Sequence, residues 1–286
     1  MRITSKIKNL MLAVALVMTI PSSLALAGTM ENIAASGEIK LGFREDTAPF
    51  SYVNDQGVPQ GYSIGLCKAI ADHVKTELKL NKLKTTYVEV TSATRLKMLQ
   101  EGKIDLLCGA TTATLSRRAT VDFSVPTYVT GATVMIRRDG PQSMAEMAGK
   151  KIGVLAATTT AKSLLKTLEK TSVSAEVVPV SSHDEGLAKL KSGDISAYFG
   201  DRAILVTLLR KNAGKGDLGI STRLFTIEPY AIGLAHGDPA FRLAVDAALS
   251  KTYRSKAIQQ IYQGAFGSEA PSDLLKALYV VNALPE

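Results

Sequence analysis

The sequence predicts an α/β protein of two similar lobes, and three observations carry that expectation. Apolar residues switch repeatedly between the alternation of a strand and the spacing of a helix. A strand, helix, strand, helix, strand unit occurs twice, which points to parallel sheets. One β-rich stretch without a helix separates the copies, and a similar one follows the second copy. A chain of 286 residues is long enough for two units of about 100–150 residues, each with its own core. With 46% hydrophobic and 21% charged residues, no stretch reads as disordered.

The N-terminus carries Arg2, Lys6 and Lys8, then an apolar run over residues 10–20, Pro21, and Ala25-Leu26-Ala27. That order is expected of a secretory signal peptide, residues 1–27, cleaved after Ala27. The apolar run is too short to span a bilayer, which needs about 20 residues. No Cys lies near the cleavage point, so a soluble protein without a lipid anchor is expected, retained in a Gram-negative periplasm.

Ile39, Leu41 and Phe43 alternate within residues 37–44, as in a strand, and Asn54-Asp55-Gln56-Gly57 is a turn. Residues 63–80 have helical spacing and residues 85–90 alternate again. Ser92 is placed to cap a short helix through Leu99, and Gly102 to end it. Residues 104–108 read as a third strand, running into Gly109-Ala110-Thr111-Thr112.

Leu99-Gln100-Glu101-Gly102-Lys103-Ile104 then finds a counterpart in Leu190-Lys191-Ser192-Gly193-Asp194-Ile195. Each follows a strand ending in Val and a Ser, and each leads into a strand and a polar loop. In the second copy, residues 152–155, 176–180 and 195–199 are the expected strands. Ser143-Met144-Ala145-Glu146 and Ser182-His183-Asp184-Glu185 read as capping boxes that start helices. The β-rich stretches 127–136, closed by the turn Arg137-Arg138-Asp139-Gly140-Pro141, and 228–235 are read as two crossing strands, the latter leading into helices around 241–249 and 257–262. The expected organisation is lobe 1 from 28–131 and 231–286, with lobe 2 from 132–230.

Ligands of open parallel sheets bind beyond the carboxyl ends of the strands, beside helix N-termini. The residues that fall there are Arg44, Ser92, Arg95, Ala110, Thr112 and Arg117 in lobe 1, and Thr158, Thr159, His183 and Asp201 in lobe 2. Three Arg, one His, several hydroxyls and a single Asp suit an anion-rich ligand. The net charge of +8, three of it from residues 1–27, is scattered rather than striped, and no nucleic-acid motif appears. With three His and two Cys, neither at zinc spacing, no metal or other cofactor is expected.

Four segments carry a family resemblance: Gly-Phe-Arg-Glu-Asp-Thr-Ala-Pro-Phe-Ser-Tyr (42–52), Gly-Tyr-Ser-Ile-Gly-Leu-Cys-Lys-Ala-Ile (61–70), Cys-Gly-Ala-Thr-Thr-Ala-Thr-Leu-Ser-Arg (108–117) and Phe-Gly-Asp-Arg-Ala (199–203). The chain resembles the periplasmic binding proteins of polar-amino-acid ABC importers, solute-binding protein family 3, and within them the glutamate/aspartate branch. The resemblance implies a type II, Venus-flytrap fold whose crossing strands act as the hinge. It also implies a monomer that hands an acidic amino acid to an inner-membrane permease.

By the same resemblance, Arg117 clamps the ligand α-carboxylate and Asp201 receives its ammonium group. Arg44, Ser92 with Arg95, and His183 match the branch's side-chain carboxylate set. Ala110 departs from the usual Ser, and Ala156-Ala157 from the Ser-Gly often found before Thr158. Phe50 and Tyr52 either line the pocket or pack the lobe. Cys67 and Cys108 form an even pair for which an oxidising compartment permits a disulfide, though both also fit as small buried hydrophobes.

Two alternatives remain open at this level. A glutamine or asparagine binder would leave the surplus of positive groups uncompensated. An enzyme like cyclohexadienyl dehydratase, built on the same fold, would need an acid poised for proton transfer, and Glu45 is the acid near the site besides Asp201. No enzymatic activity is expected.

Overall fold

The computed structural model describes residues 28–212 and 216–285, so the expected signal peptide lies outside the described residues. α1 (Thr29–Ser36) ends where Gly37 takes a left-handed conformation at φ 64°. β1 (Glu38–Phe43) follows with Ile39 and Leu41 fully buried, each of the order of 1.5–3 kcal/mol of burial. β2 (Asp46–Thr47), β3 (Ser51–Val53) and β4 (Pro59–Gln60) form a small antiparallel sheet. α2 (Tyr62–Glu77) buries Ile64, Cys67, Ile70, Ala71 and Val74 along one face, as the spacing predicts.

β5 (Lys84–Glu89) pairs parallel with β1, and after α3 (Arg95–Gln100) so does β6 (Leu106–Leu107) on the other side. The third strand is thus shorter than residues 104–108. Ser92 does not cap α3, which starts after Thr94, while the side chains of Thr91 and Thr94 bond each other at 3.1 Å. α4 (Leu115–Arg118) and β7 (Asp122–Phe123) lead to β8 (Tyr128–Thr130) and β9 (Ala132–Arg137), where the second sheet begins.

Ser143-Met144-Ala145-Glu146 starts only a 3-10 turn at Ala145–Met147, because Gly149 reverses the chain into the next strand. That strand is β10 (Lys151–Leu155), and α5 (Thr159–Thr171), β11 (Glu176–Val180), α6 (His183–Ser192), β12 (Ala197–Asp201), α7 (Arg202–Lys211) and β13 (Leu218–Ile220) follow. At α6 the expected cap forms: Ser182 Oγ accepts from Glu185 N at 3.1 Å. β14 (Glu228–Tyr230) pairs antiparallel with β8, so the two crossing strands lie side by side. β15 (Gly233–Leu234), α8 (Pro239–Tyr253), α9 (Ala257–Phe266) and α10 (Asp273–Asn282) complete the chain on the first sheet, where α2 packs on α8.

Among the described residues there are two five-stranded sheets, ordered β5-β1-β6-β15-β7 and β11-β10-β12-β9-β13. In each, three parallel strands are followed by one running the opposite way, and the edge strand beyond it pairs antiparallel with that one. The six-residue repeat has a packing reason. Gly102 and Gly193 both end helices at positive φ, and two residues later Ile104 and Ile195 press onto β-strand glycines. A Cβ on Gly42 would meet Ile104 Cδ1 at 2.5 Å, and one on Gly153 would meet Ile195 Cδ1 at 2.4 Å. Each lobe therefore uses the same Ile-on-Gly contact to seat its helix-to-strand connection.

Cys67 in α2 and Cys108 after β6 are joined by a disulfide, which staples the helix to the sheet. Phe50 is fully buried among Tyr62, Tyr128, Tyr230 and Phe266, so it packs the lobe and the crossing strands. Tyr52 is half-buried under the Lys211 ammonium, 4.9 Å from the ring centroid.

Candidate ligand-binding site

The carboxyl ends of the parallel strands in both sheets face one narrow cavity. Arg44, Arg95, Ala110, Thr112 and Arg117 line it from the first lobe, and Thr158, Thr159, His183 and Asp201 from the second. Of the ten positions singled out in the sequence, Ser92 alone is not in that lining, although it is buried. Four helix starts contribute: Arg95 opens α3, Thr158 caps α5, His183 opens α6, and Asp201 sits at the N-cap of α7. Free backbone N–H groups and the positive ends of these helices make the cavity favourable to anions.

Arg95 is the outstanding polar group. It is 3% exposed, and its Nε and Nη1 have no hydrogen-bond partner among the described residues. Burial, together with the neighbouring Arg117 and Arg44, brings its pKa down to about 9. A buried guanidinium with two unused donors beside two like charges is costly unless an anion joins it. Arg117 is better supplied, since its Nη1 donates to the Thr112 carbonyl at 2.7 Å. Burial lowers its pKa, and the acids Glu228 and Asp201 oppose that fall.

Asp201 is the acid facing this group. It accepts from Thr160 Oγ1 at 3.0 Å and from the Tyr230 hydroxyl. Burial pushes its carboxyl up to about 6, the Tyr230 hydrogen bond pulls it down, and Glu228 adds to the rise. A carboxylate so placed gains from an incoming ammonium group.

His183 is 5% exposed, and burial brings its pKa down to about 4, so it is neutral near pH 7. Its Nδ1 lies 2.8 Å from the Tyr198 hydroxyl. With Tyr198 donating to Nδ1, the ring carries its proton on Nε2, a neutral donor suited to a carboxylate oxygen.

Several residues of the site escaped the sequence reading. Asp46 accepts both Nε and Nη2 of Arg44 on Oδ1, at 3.0 and 2.5 Å, and the His183 backbone N–H on Oδ2 at 3.2 Å. Arg44 and Asp46 flank the bend at Glu45 between β1 and β2, where strand alternation does not hold, so no sequence pattern singles out Asp46. Glu45 is exposed, which removes it as a poised acid. Glu228, 3% exposed on the crossing strand β14, accepts from Thr112 Oγ1 at 2.6 Å and Thr159 Oγ1 at 2.8 Å. Thr112 and Thr159 come from different lobes and lie 3.3 Å apart, so the cleft is closed.

Ala157 takes a left-handed conformation at φ 57°, directly before the α5 cap. A Gly at this position would adopt that backbone without a Cβ penalty. The hydroxyl missing at Ala110 is not replaced by another side chain on the same loop in the cavity lining until Thr112.

The sequence profile described as bacterial extracellular solute-binding proteins, family 3, matches residues 39–268. The chain is 33% identical over 249 residues to an L-glutamate/L-aspartate-binding protein of Pseudomonas aeruginosa, covering 86% of this chain and 82% of that one. It is 28% identical over 266 residues to a glutamate/aspartate import solute-binding protein of Salmonella typhimurium, covering 89% and 88%. Among solved structures, an ancestral arginine-binding protein bound to glutamine superposes with a TM-score of 0.72 at 26% identity, covering 81% of this chain and 99% of that one. The two-lobed α/β architecture is that of these binding proteins, and the chain belongs to the bacterial extracellular solute-binding proteins, family 3.

Proposed function

We propose that this protein captures L-glutamate or L-aspartate in the periplasm by closing its cleft and delivers it to an inner-membrane ABC permease. The observation that carries the reading is Arg95, a buried cation with two unpaired donors lining a closed cavity. In this reading Arg117 and the α5 N-terminus at Thr158 and Thr159 hold the α-carboxylate, and Asp201 holds the ammonium group. Arg95 and the Nε2 of His183 receive the side-chain carboxylate, with Thr112 and the Ala110 backbone beside the ammonium.

Export through a cleaved signal peptide and action as a monomer belong to the same proposal. So do the closing units, residues 28–131 with 231–286 against 132–230, hinged on the paired β8 and β14. Each charge-assisted hydrogen bond is worth about 1.5–3 kcal/mol, and a micromolar ligand needs about 8 kcal/mol net. Roughly three to five such contacts reach that figure.

One observation favours a neutral ligand instead. Asp46 and Glu228 bond side chains that line the cavity, Arg44 for the first and Thr112 and Thr159 for the second, so two carboxyl groups besides Asp201 lie next to it. The surplus of positive charge read from sequence is therefore smaller in the fold. Arg95 still decides for the acid, because neither Asp46 nor Glu228 reaches it. A dehydratase-like reaction is not supported: Asp201 is engaged by Tyr230 and Thr160 and Glu45 is exposed, so no free acid is poised for proton transfer among the described residues.

Calorimetric titration of variants tests the assignment. Arg117→Ala and Asp201→Ala are expected to abolish binding of every amino acid, by about 3–5 kcal/mol. Arg95→Ala is expected to weaken glutamate and aspartate far more than glutamine. Equal loss of all ligands in all three variants would sink the side-chain assignment.

A further inference from the structure

We infer that Asp46 is a specificity-determining residue: it binds Arg44 as an internal counter-ion, docks the start of α6, and leaves Arg95 as the free cation for a ligand carboxylate. The inference rests on the reading that the cavity takes an amino acid. One Asp46 oxygen holds two nitrogens of Arg44, and the other accepts the His183 backbone N–H. Both partners line the cavity, Arg44 from the first lobe and His183 from the second. A single internal carboxylate therefore occupies donors that a ligand side-chain carboxylate would otherwise claim. Arg44 is left with Nη1, whereas Arg95 keeps Nε and Nη1 unused.

This arrangement makes the charge at the side-chain end of the cavity a balance between two residues. Losing Arg44 alone strands the Asp46 carboxylate there, which repels a second carboxylate and welcomes an amide. Losing the Asp46 charge alone releases Arg44 and adds a free cation. Losing both returns the balance to its starting point. If Arg44 were instead a direct carboxylate receptor, the loss of Asp46 could not repair the loss of Arg44.

The test is a cycle of Asp46→Asn, Arg44→Met and the double variant, each titrated with glutamate and glutamine. The expected ratio of glutamine to glutamate Kd rises about tenfold in Asp46→Asn and falls about tenfold or more in Arg44→Met. In the double variant it returns to within about threefold of the wild-type ratio. Both ligands are titrated into the same preparation, so lost active protein cancels, and a purely structural role for Asp46 leaves the ratio unmoved. An unchanged ratio in Asp46→Asn, or a double variant as shifted as Arg44→Met, overturns the inference. If the double variant does not fold, Asp46→Asn decides alone. A wild type that prefers glutamine would sink the acidic assignment, yet the shifts between variants would still decide the role of Asp46.

Discussion

Replacing Arg95 with Met should move stability and affinity in opposite directions. The guanidinium is 3% exposed, and burial brings its pKa well below the usual guanidinium range, to about 9. A fall of that size corresponds to about 5 kcal/mol against the charged form in the empty, closed cleft. Opening and hydration relieve part of it, so an apolar side chain of similar length is expected to stabilise the ligand-free protein by about 1–4 kcal/mol. For a protein of this size, each kcal/mol raises the melting temperature by about 2–4 °C. Glutamate affinity is expected to drop about 100- to 1000-fold, because the ligand's side-chain carboxylate loses its free cation. Thermal melts with and without glutamate read both effects. Wild type should gain about 2.7 kcal/mol at a ligand concentration of 100 Kd, and the variant almost nothing at that concentration. A ligand-free variant that melts below wild type, or one that keeps the full ligand-induced gain, would refute the reasoning.

Three further outcomes are expected. The Asp201 pKa, about 6 in the fold, lies above its ordinary value of 3.8. Its contribution to the stability of the empty protein is therefore present at acid pH and lost as pH rises through about 6. Because the ammonium group needs the ionised carboxylate, glutamate Kd should tighten about tenfold per pH unit up to about 6 and then level off; a flat profile between about pH 4.5 and 7 contradicts the role of Asp201. Removing the disulfide by Cys67→Ala with Cys108→Ala opens a loop spanning 41 residues and should cost about 4 kcal/mol, read as a lower denaturant midpoint in urea. Ala157→Gly, at φ 57°, should stabilise the protein by about 0.5–1 kcal/mol by removing the left-handed Cβ penalty; destabilisation would count against that conformation.

The strands that carry the site were legible as short apolar runs, because a parallel sheet covered on both faces buries most of their residues. Ile39, Leu41 and Phe43 set β1, and β11 begins and ends at the expected residues 176 and 180. The repeat was legible because a glycine ends each helix and an Ile must fit a strand glycine two residues later. Short elements were not. Ser143 Oγ donates to the Glu146 carboxylate at 2.9 Å and accepts from Glu146 N at 3.4 Å, but the carboxylate takes Gln142 N instead of Ser143 N, and the chain turns at Gly149 before a helix can propagate beyond its costly nucleus. α1 and α10 went unassigned, although Ser272, Asp273 and the spacing of Leu275 and Tyr279 mark α10 in retrospect.

In the site, single residues at strand ends could be listed, but their partners could not. That Asp46 rather than Glu45 meets Arg44 depends on the face the chain presents after β1. That Glu228 joins Thr112 and Thr159 depends on the pairing of β8 with β14, a contact between residues 116 and 69 positions apart for the two threonines. Sequence order gives the inventory of charges, and only the fold gives the pairing that decides which charge is free.

The most direct test of the central claim is calorimetric titration of the ligand-stripped protein with glutamate, aspartate, glutamine, asparagine and prephenate. Binding of the two acids at micromolar Kd or tighter, with the amides weaker by about 100-fold, is the predicted result. Glutamine binding as tightly as glutamate, or turnover of prephenate, would contradict it.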